Sequence, residues 1–288
     1  MAAIKSSLRI PENACSCLAP AKLNLDLRIV GRRADGYHLL ESVFTLIALY
    51  DCLHILPNHT GNIVLHTPTE DVLPENDLCY RAAKLLQQHC AVTKQGADIW
   101  LEKYIPVGGG LGGGSSDAAL VLMMLNQLWH CGLDKAALIK LGVRLGADVP
   151  FFIFGESAFV CGIGENLSPM VLLPQWYVII KPPVHVSTAA IFSHENLTRN
   201  SKPSIMPIFE TPKNWRNDMQ HVVLSEYFEV KVAFDALAEY GQPMMSGSGA
   251  CVFLRFDDET QAQTVYQQIS TKHQAYCVVG LKTHPFYG

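Results

Sequence analysis

The sequence predicts an α+β protein built from two parts, residues 1–160 and residues 161–288. Three observations predict this fold class. Residues 97–128 contain a strand pattern, a glycine-rich turn and an apolar helix in that order. Residues 176–282 contain strand and helix patterns in the order β-α-β-β-α-β. Of the 288 residues, 49% are hydrophobic and 17% are charged, which is enough apolar material for two modest domains.

The composition excludes several classes of protein. The formal net charge is −4, and Lys and Arg are scattered without a basic stripe, so we expect no nucleic-acid partner. No apolar run reaches the roughly 18 residues of a membrane span, and residues 1–16 lack the apolar segment of a secretory signal. The nine cysteines form an odd set without a CxxC pair, which is typical of free thiols in a reducing compartment. We therefore expect a cytoplasmic protein that does not bind membranes.

The first predicted strand covers residues 15–30. From residue 22 onward, polar and apolar residues alternate, which predicts one polar face and one packed face. The polar set is Lys22, Asn24 and Asp26. A lysine on a strand is commonly a solvated surface residue. Because Lys22 follows Ala-Pro-Ala and shares its face with an asparagine, it is also a candidate site residue.

A turn over residues 31–38 is predicted to lead into a second strand over residues 39–50. The turn carries two arginines and ends in Tyr37 and His38. Two interpretations are open at this point. The turn is either a β-hairpin whose tip carries charged and aromatic side chains without a function, or a loop that binds a ring-bearing substrate through Tyr37, His38 and Phe44.

Three further elements precede the glycine-rich turn. A strand region is predicted over residues 51–72, with turns at residues 57–58 and 61–62. A core-facing helix is predicted over residues 76–88, because its apolar residues recur at helical spacing. A half-exposed strand is then predicted over residues 97–105, and Pro106 ends it.

The most informative segment is residues 105–126. Six glycines lie within seven positions, namely Gly108, Gly109, Gly110, Gly112, Gly113 and Gly114. Glycine permits positive φ and lets backbone N–H groups approach a ligand closely. Ser115, Ser116 and Asp117 follow and are predicted to cap a helix over residues 118–128. Because the N-terminus of a helix attracts anions, the segment predicts a phosphate-binding loop.

Three alternatives to this interpretation can be compared. A P-loop needs a lysine after its last glycine, and here Gly114 is followed by serine. A dinucleotide-binding fingerprint is formally present at residues 108–113, but no acidic residue ends a strand about twenty residues later. A flexible turn without a ligand is disfavoured because ordering so many glycines has a large entropic cost.

A carboxylate follows the next predicted helix, which covers residues 134–145. Asp148 is the only charged residue between Arg144 and Glu156, and an apolar run that looks like a strand follows it. Asp148 could therefore cap a helix or shape a turn. Alternatively, a partly desolvated carboxylate at the entrance of a strand suits a proton acceptor.

The second half contains the β-α-β-β-α-β pattern. Its predicted strands cover residues 176–182, 243–245, 251–256 and 275–282, and its predicted helical stretches cover residues 217–240 and 258–270. A separate strand is predicted before it over residues 157–164, followed by a loop that contains Gly164, Glu165 and Pro169. The proline-rich residues 202–215 are predicted to be a loop. Residues 245–250 (MSGSGA) join the two central strands, either as a tight hairpin or as a second wall of the phosphate site.

Four segments in combination resemble the GHMP-superfamily kinases. They are PAKLNL at residues 20–25, PVGGGLGGGSSDAA at 106–119, GADVPFF at 146–152 and SGSGACVF at 246–253. The resemblance covers nearly the whole chain. It implies a two-domain α/β architecture with a ferredoxin-like C-terminal half and an active site in the cleft between the halves. It also implies ATP as phosphoryl donor, with Mg²⁺ expected, and a small-molecule hydroxyl as acceptor.

The resemblance assigns roles by position. Lys22 and Asp148 match the catalytic pair, in which the carboxylate takes the proton of the acceptor hydroxyl and the lysine steadies the developing charge. The segment that matches the ATP-binding loop consists of Pro106, Val107, Gly108, Gly109, Gly110, Leu111, Gly112, Gly113, Gly114, Ser115 and Ser116. The resemblance implies that the backbone of this segment and the hydroxyls of Ser115 and Ser116 hold the triphosphate. The resemblance identifies no metal ligand in this chain.

Residues 20–44 and the doubled glycine triplet are similar to GHMP kinases whose acceptor carries a cytidine diphosphate group. The positions that match contacts to the base are Tyr37, His38, Phe44 and Phe192, and those that match polar contacts are Asn24 and Thr188. Asp26 departs from the small or aromatic residue common at its position, which leaves the charge at this end of the site open.

Two rival functions are compatible with parts of this pattern. Another GHMP kinase, acting on homoserine, mevalonate or a sugar, would have no need for the aromatic tip at residues 36–38. A nucleotide-binding regulator without catalysis is disfavoured by the presence of both Lys22 and Asp148. In either case we expect a monomer or a weak homodimer.

Overall fold

The computed structural model describes residues 9–33, 36, 38–67, 72–203 and 214–288. Its strands are β1 (Cys15–Arg32), β2 (His38–Asn58), β3 (Ile63–Leu65), β4 (Gly96–Glu102), β5 (Ala158–Gly162), β6 (Asn166–Pro169), β7 (Trp176–Ile180), β8 (Met244–Met245), β9 (Val252–Phe256) and β10 (Ala275–Leu281). Its helices are α1 (Leu78–His89), α2 (Gly113–Leu128), α3 (Lys135–Val143), α4 (Val149–Phe154), α5 (Thr188–Ser193), α6 (Gln220–Glu226), α7 (Phe228–Ala238) and α8 (Glu259–Ile269). The described residues contain no helix long and apolar enough to cross a membrane.

Two long antiparallel strands, β1 and β2, form the centre of the first half. They pair from Cys15 opposite Ile55 to Arg32 opposite His38. The register shifts between Asn24 and Asp26, which marks a β-bulge. Because a bulge changes the face to which the following side chains point, the predicted alternation from Lys22 to Asp26 is interrupted at this position.

The prediction of separate strands over residues 39–50 and 51–72 is wrong. β2 is continuous to Asn58 and pairs with β4 as far as Gly96, so residues 57–58 lie in a strand and not in a turn. The pairing with β1 ends opposite Ile55. Beyond that point β2 has a neighbour on one side only, which is where a strand tolerates the missing N–H of Pro57.

The helix that follows the glycines begins earlier than predicted. α2 starts at Gly113, and its N-cap is Gly112, whose φ is +73° and which offers no side-chain cap. The prediction that Ser115, Ser116 and Asp117 supply the cap is therefore wrong. All of the residues from Ser116 to Leu125 are buried, so α2 is the central helix of the first core.

The apolar run after Asp148 forms the helix α4 and not the predicted strand. Residues 149–153 are all buried, so the run is apolar on every side and its periodicity cannot separate a helix from a strand. Pro150 lies in the first turn, where its missing N–H costs nothing, and Gly155 ends the helix with a φ of +82°. Asp148 therefore precedes a helix.

The second half confirms the predicted β-α-β-β-α-β order. Its four strands lie in the order β10-β7-β9-β8, and all neighbours are antiparallel. Helices α6, α7 and α8 pack on this sheet through a second apolar core. Residues 166–169 lie between the predicted strands 157–164 and 176–182, where a loop was expected, but they form β6, and β6 pairs with β5.

The sheets of the two halves are continuous. Gly280 and Leu281 of β10 pair with Ile47 and Leu46 of β2. A third apolar cluster draws residues from both halves, including Leu23 of β1 and Phe253 of β9. Ile105 and Leu111 belong to the same cluster, so the glycine-rich segment is anchored where the two halves meet.

Candidate active site

The glycine loop, residues 106–112, depends on backbone conformations that other residues rarely adopt. Gly110 has a φ of +72°, and a Cβ at this position would lie 2.2 Å from the carbonyl oxygen of Ser246. Gly112 has a φ of +73°, and its Cβ would lie 2.9 Å from the ring of Phe152. Both conditions restrict these positions to glycine, which explains in part why the segment contains so many.

The turn at residues 245–250 packs directly against the glycine loop. Ser246 Oγ donates to the carbonyl of Gly110 at 2.9 Å, and the amide of Cys251 donates to the carbonyl of Gly109 at 3.2 Å. The turn therefore contributes a wall to the site as well as joining two strands. Its Gly247, Ser248 and Gly249 line the cavity on one side of the loop.

The first of two cavities beside the loop has a volume of about 790 Å³. It is lined by residues 105–115, by the start of α1 and by Lys103 and Asp117. The first helical hydrogen bond of α2 runs from the amide of Ser116 to the carbonyl of Gly112 at 2.9 Å. The preceding amides of Gly113, Gly114 and Ser115 have no acceptor within the helix, so they suit a triphosphate.

Ser116 departs from its predicted role. Its side chain is fully buried, and its Oγ donates to the carbonyl of Pro20 at 2.7 Å. Since its amide is also engaged in α2, both donors of Ser116 serve the fold. The structure thus contradicts the expectation that its hydroxyl binds phosphate, and Ser115, which lines both cavities, is the serine available to a ligand.

The second cavity has a volume of about 350 Å³ and lies on the other face of the loop. The predicted site residues that line it are Lys22, Asn24, Phe44, Asp148, Thr188 and Phe192. Four residues line both cavities, namely Gly108, Gly110 and Gly112 of the glycine loop and Ser115 of α2. A group transferred from one cavity to the other would pass along this shared loop.

Lys22 is a buried cation that lines the second cavity. Only 3% of its surface is exposed, and its Nζ donates to Asn24 Oδ1 at 2.5 Å. The same ammonium lies 3.5 Å from Asp148 Oδ2 and 4.7 Å from the centre of the Phe44 ring. Its backbone amide donates to the carbonyl of Leu111 at 2.9 Å, which ties β1 to the glycine loop.

Asp148 occupies the N-cap position of α4, but its side chain accepts no capping hydrogen bond. Its side chain is 31% exposed, in contrast to the 4% of its partner Lys22. The carboxylate therefore faces the cavity and is accessible to a ligand while it remains close to a cation.

The orientation of Asn24 is fixed by its neighbours. Asn24 Nδ2 donates to Ser42 Oγ at 3.0 Å, and Ser42 Oγ donates to the carbonyl of Asp26. This chain turns Asn24 Oδ1 toward Lys22. Ser42, which lines the cavity and was not predicted, is marked in the sequence only as a polar residue within the strand pattern of β2.

The aromatic residues separate into two groups. His38 stacks on Phe192 with 4.7 Å between ring centres and an angle of 19°. Burial, together with the cations of Arg32 and Arg199, lowers the pKa of His38, so this imidazole is neutral near pH 7. These four residues line a cavity of about 770 Å³ that adjoins the second cavity. The prediction for Tyr37 lies outside the described residues.

Phe44 belongs to the other group and is largely buried. It is 6% exposed, Lys22 Nζ lies over its ring, and Phe151 forms a T-shaped pair with it at 5.0 Å between centres. Phe44 lines the second cavity and supports the lysine there. A contact of Phe44 with the substrate base stays a prediction.

Asp26 is a buried residue of the fold that does not line the second cavity. Its carboxylate is fully buried and accepts hydrogen bonds from Arg28 Nε and from the amide of Arg216, each at 2.8 Å. Burial raises the pKa of Asp26 to about 6, against the opposing effect of these donors. Asp26 does not line the second cavity, whereas Leu27 does. The carboxyl group of Asp26, whose effect on the site the sequence left open, therefore interacts with groups inside the fold.

Two further sets of residues lie around the site. His185 lines the second cavity, and its Nδ1 lies 2.6 Å from the Cβ that Gly108 would carry. Its sequence context is an isolated histidine in a loop, which carries no signal. Asp51 and Asp117 bracket Lys103 beneath the first cavity, and their spacing in sequence gives no indication that they meet.

The side chains present fit a magnesium ion that is held mainly by phosphate. The described residues contain no group of three or more His, Cys, Asp or Glu side chains suited to a metal. The oxygen atoms of Ser115 and Asp148 both face the second cavity. Mg²⁺ commonly uses one or two carboxylates together with phosphate oxygens and water, so a small protein donor set suffices.

The chain matches two family models over the regions that build this site. Residues 77–156 match the GHMP kinases N terminal domain, and residues 191–275 match the GHMP kinases C terminal model. Together with the fold and the glycine loop, these matches define a kinase of the GHMP class, which uses ATP. The GHMP resemblance found in the sequence is thereby confirmed.

Individual relatives narrow this class. The chain is 57% identical over 267 residues to the 4-diphosphocytidyl-2-C-methyl-D-erythritol kinase of Neisseria meningitidis serogroup A, which covers 93% of this chain and 95% of the relative. A crystal structure of 4-(cytidine 5'-diphospho)-2C-methyl-D-erythritol kinase has a TM-score of 0.80 at 32% identity, covering 93% of this chain and 100% of that chain. The chain therefore belongs to the family of 4-diphosphocytidyl-2-C-methyl-D-erythritol kinases.

A structural match at lower sequence identity shows only that the two proteins share a fold. The mevalonate kinase of Methanococcus jannaschii has a TM-score of 0.69 at 14% identity, covering 94% of this chain and 100% of that chain.

Proposed function

We propose that this kinase transfers the γ-phosphoryl group of ATP to the 2-hydroxyl of 4-diphosphocytidyl-2-C-methyl-D-erythritol, in the non-mevalonate route to isoprenoid precursors. The products are the 2-phosphate and ADP. The observation that carries the proposal is the glycine loop shared by two cavities, with Lys22 and Asp148 on the side of the smaller one. The 57% identity to a kinase named for this substrate supports the choice of acceptor.

The donor binds in the larger cavity in this proposal. The amides of Gly113, Gly114 and Ser115, which have no acceptor within α2, bind the triphosphate. The backbone of residues 106–112 binds it as well. The loop contains no lysine of its own. A cation from elsewhere is needed for the charge of the transferred group, and Lys22 supplies it from β1.

The acceptor hydroxyl lies beside Asp148. The carboxylate accepts the hydroxyl proton while the oxygen forms a bond to the γ-phosphorus, and the bond from that phosphorus to the bridging oxygen of ADP breaks. Lys22 Nζ is 3.5 Å from Asp148 and is held by Asn24, so it keeps the carboxylate oriented and offers positive charge to the moving group. The loop and the turn at residues 245–250 exclude water from the reacting atoms.

Magnesium, when bound with ATP, neutralises charge on the β- and γ-phosphates. Ser115, which lines both cavities, is the residue of the shared region that would hold it.

The cytidine end of the acceptor occupies the adjoining cavity. His38 and Phe192 are already stacked there, so the base can insert beside an aromatic wall at little ordering cost. Thr188 and Ser248, whose hydroxyl oxygens are 2.7 Å apart, offer polar groups along the path between this wall and Lys22. Phe44 is given no part in this wall because Lys22 Nζ lies over its ring.

Turnover of ATP with a panel of acceptors tests the proposal. The panel contains 4-diphosphocytidyl-2-C-methyl-D-erythritol, the same polyol phosphate without the cytidine group, mevalonate and homoserine. We expect ADP formation only with the first compound, and mass spectrometry should place one added phosphate on its polyol. Comparable turnover of mevalonate or homoserine would refute the proposed acceptor and leave the kinase class intact.

A further inference from the structure

Three charged side chains form a cluster beneath the glycine loop on the donor side. They are Asp51 of β2, Lys103 after β4 and Asp117 of α2. Lys103 Nζ donates to Asp117 Oδ2 at 2.6 Å and also to Asp51 Oδ2. Asp51 and Asp117 are 0% and 1% exposed, whereas the side chain of Lys103 is 33% exposed, so the two carboxyl groups are shielded from bulk water and the ammonium reaches the surface of the cavity.

Asp51 holds the backbone at the entry of the loop. Its Oδ1 accepts hydrogen bonds from the amides of Tyr104 at 2.6 Å and Ile105 at 2.8 Å. β4 was predicted to run to residue 105 but ends at Glu102, because these amides bind a side chain instead of a neighbouring strand. Asp51 therefore sets the direction in which the chain leaves the sheet.

Asp117 lies at the exit of the loop, one turn into α2. Lys103 Nζ is 3.3 Å from the Cβ that Gly113, the first residue of this helix, would carry. One ammonium group thus joins the strand before the loop to the helix after it. The conformation of residues 106–112 is constrained from both ends.

The cluster also controls the charge beside the loop. Burial opposes the charge of Lys103, but the carboxylates of Asp117 and Asp51 outweigh it and raise the pKa of this lysine. Burial raises the pKa of Asp117 to about 8, against the effect of Lys103. Asp117 Oδ1 has no hydrogen-bond partner among the described residues, and this side chain borders the donor cavity. Without the ammonium, the buried side chains of Asp51 and Asp117 would have no cation between them beside a site for triphosphate.

We propose that Asp51, Lys103 and Asp117 form a clamp that joins the two ends of the glycine loop and thereby sets the affinity and orientation of ATP. Asp51 is a positioning residue that acts through the loop backbone, whereas Lys103 and Asp117 also line the donor cavity. The inference rests on the proposed function only in assigning the donor to this loop, and it does not depend on the identity of the acceptor.

The variant Asp51→Asn separates positioning from direct contact. Asp51 is absent from the described lining of the donor cavity, so its side chain does not reach the nucleotide. The asparagine can still accept from the amides of Tyr104 and Ile105 but presents an NH₂ group to Lys103 in place of a carboxylate oxygen. We expect the dissociation constant of a non-hydrolysable ATP analogue, measured by calorimetry, to rise about tenfold, because a displaced loop misplaces every amide that binds phosphate.

Three further variants complete the test. Lys103→Met should weaken analogue binding at least as strongly as Asp51→Asn. Lys103→Arg keeps the positive charge between the carboxylates and should retain affinity within about threefold of the native chain. Lys140→Met, at an exposed position of α3, is the matched control and should change nothing. Circular dichroism and thermal unfolding establish whether each variant is folded. If Lys103→Met does not fold, the comparison of Asp51→Asn with Lys103→Arg is sufficient to test the proposal.

The acceptor gives the discriminating readout. If the clamp sets ATP binding, the KM of ATP rises in Asp51→Asn, while the KM of the acceptor stays within about twofold of the native value. The reason is that the acceptor cavity has its own walls. Unchanged analogue binding in folded Asp51→Asn would overturn the proposal. Failure of the proposed function would look different, since the native chain would then bind the analogue and still not phosphorylate the acceptor.

Discussion

Lys22 and Asp148 approach each other without forming a short hydrogen bond. Their separation of 3.5 Å leaves the carboxylate oxygens able to accept a hydrogen bond from another donor. Lys22 is held instead by Asn24, whose own orientation depends on Ser42. The result is a fixed cation beside a carboxylate that is free to take a proton, which is what transfer to a hydroxyl requires.

Asp148→Asn should abolish proton acceptance while it preserves the shape of the site. We expect ATP to bind with nearly native affinity and kcat to fall by roughly two to four orders of magnitude, the usual contribution of a positioned general base. Steady-state kinetics and calorimetry with an ATP analogue measure the two quantities. Asp235→Asn, on the exposed face of α7, is the control. Near-native kcat in Asp148→Asn would remove this residue from the chemistry.

Single residues were predictable where a polar side chain interrupts an apolar pattern. Lys22 and Asp148 stood out for this reason, and the structure brings them together. Phe44 and Ser116 have the residue types of ligand-binding positions, but both are engaged in packing or internal hydrogen bonds. Burial depends on neighbours distant in sequence, so it could not be inferred from local composition.

At the scale of elements, the glycine loop is defined by its close approach to the turn at residues 245–250. Gly110→Ala would place a methyl group 2.2 Å from the carbonyl oxygen of Ser246 at a φ of +72°. We expect the loop to shift and kcat/KM for ATP to fall by about 100-fold, since an ångström-scale misplacement has effects of that size.

Gly132→Ala is the matched control for backbone strain. Gly132 has a φ of +69°, but nothing lies within 4 Å of the Cβ it would carry. This variant should lose about 1 kcal/mol of unfolding free energy and keep its activity, because only the strain of a left-handed alanine is added. Equal kinetic effects in the two variants would show that φ alone, and not the contact with Ser246, limits position 110.

Helix α5 illustrates how a short element is stabilised from outside. It has six residues, and Arg199 satisfies carbonyls at its end. Arg199 Nη2 donates to the carbonyls of Phe192 at 3.0 Å and His194 at 2.6 Å, and Nη1 donates to that of Leu197 at 3.3 Å. Arg199 thereby fixes the segment that presents Phe192 to His38.

Arg199→Met should loosen this aromatic wall while it keeps the apolar stem of the side chain. We expect the KM of the cytidine substrate to rise about fivefold to tenfold, in line with hydrogen bonds worth about 1 kcal/mol each, and the KM of ATP to stay constant. Steady-state kinetics with each substrate varied in turn decides the point. Arg144→Met, at an exposed arginine, should leave both constants unchanged. A rise confined to ATP would disprove the assignment of this wall to the acceptor.

Elements were predictable where their periodicity is unambiguous. The strand, loop and helix order around residues 97–128 and the ferredoxin-like order of the second half were both correct. The errors fall where periodicity carries little information. β2 continues through a proline, and α4 is apolar on all sides. In both cases neighbouring strands and helices decide the local conformation.

At the scale of the whole molecule, the site exists because two halves share one sheet and one apolar cluster. Ile105 and Leu111 anchor the loop in that cluster beside residues of β1, β7 and β9. The order of elements predicted two parts, and the resemblance to GHMP kinases implied an active site in the cleft between them. The register between β2 and β10 and the bulge at residues 24–26 depend on long-range pairing, so the side of the sheet to which Asp26 points could not be predicted.

Two buried carboxylates couple the stability of the molecule to pH. Burial raises the pKa of Asp117 to about 8 and that of Asp26 to about 6, above the value of 3.8 for an unperturbed aspartate. Between pH 4 and pH 8 the folded chain therefore binds protons that the unfolded chain has released. Their contribution to stability is complete below pH 4 and is lost as the pH rises through this window.

Asp117→Asn removes the larger of these two proton-binding sites while it keeps an oxygen that can accept from Lys103. The unfolding free energy of the variant, relative to that of the native chain, should increase by on the order of 2 kcal/mol between pH 4.5 and pH 8.5. Urea unfolding at several pH values measures this difference, in which the carboxylates common to both chains cancel. The exposed Asp235→Asn should give a curve parallel to the native one. A parallel curve for Asp117→Asn would mean that Asp117 is already ionised in the folded chain at pH 4.5, so that the buried cluster carries a net negative charge beneath the loop.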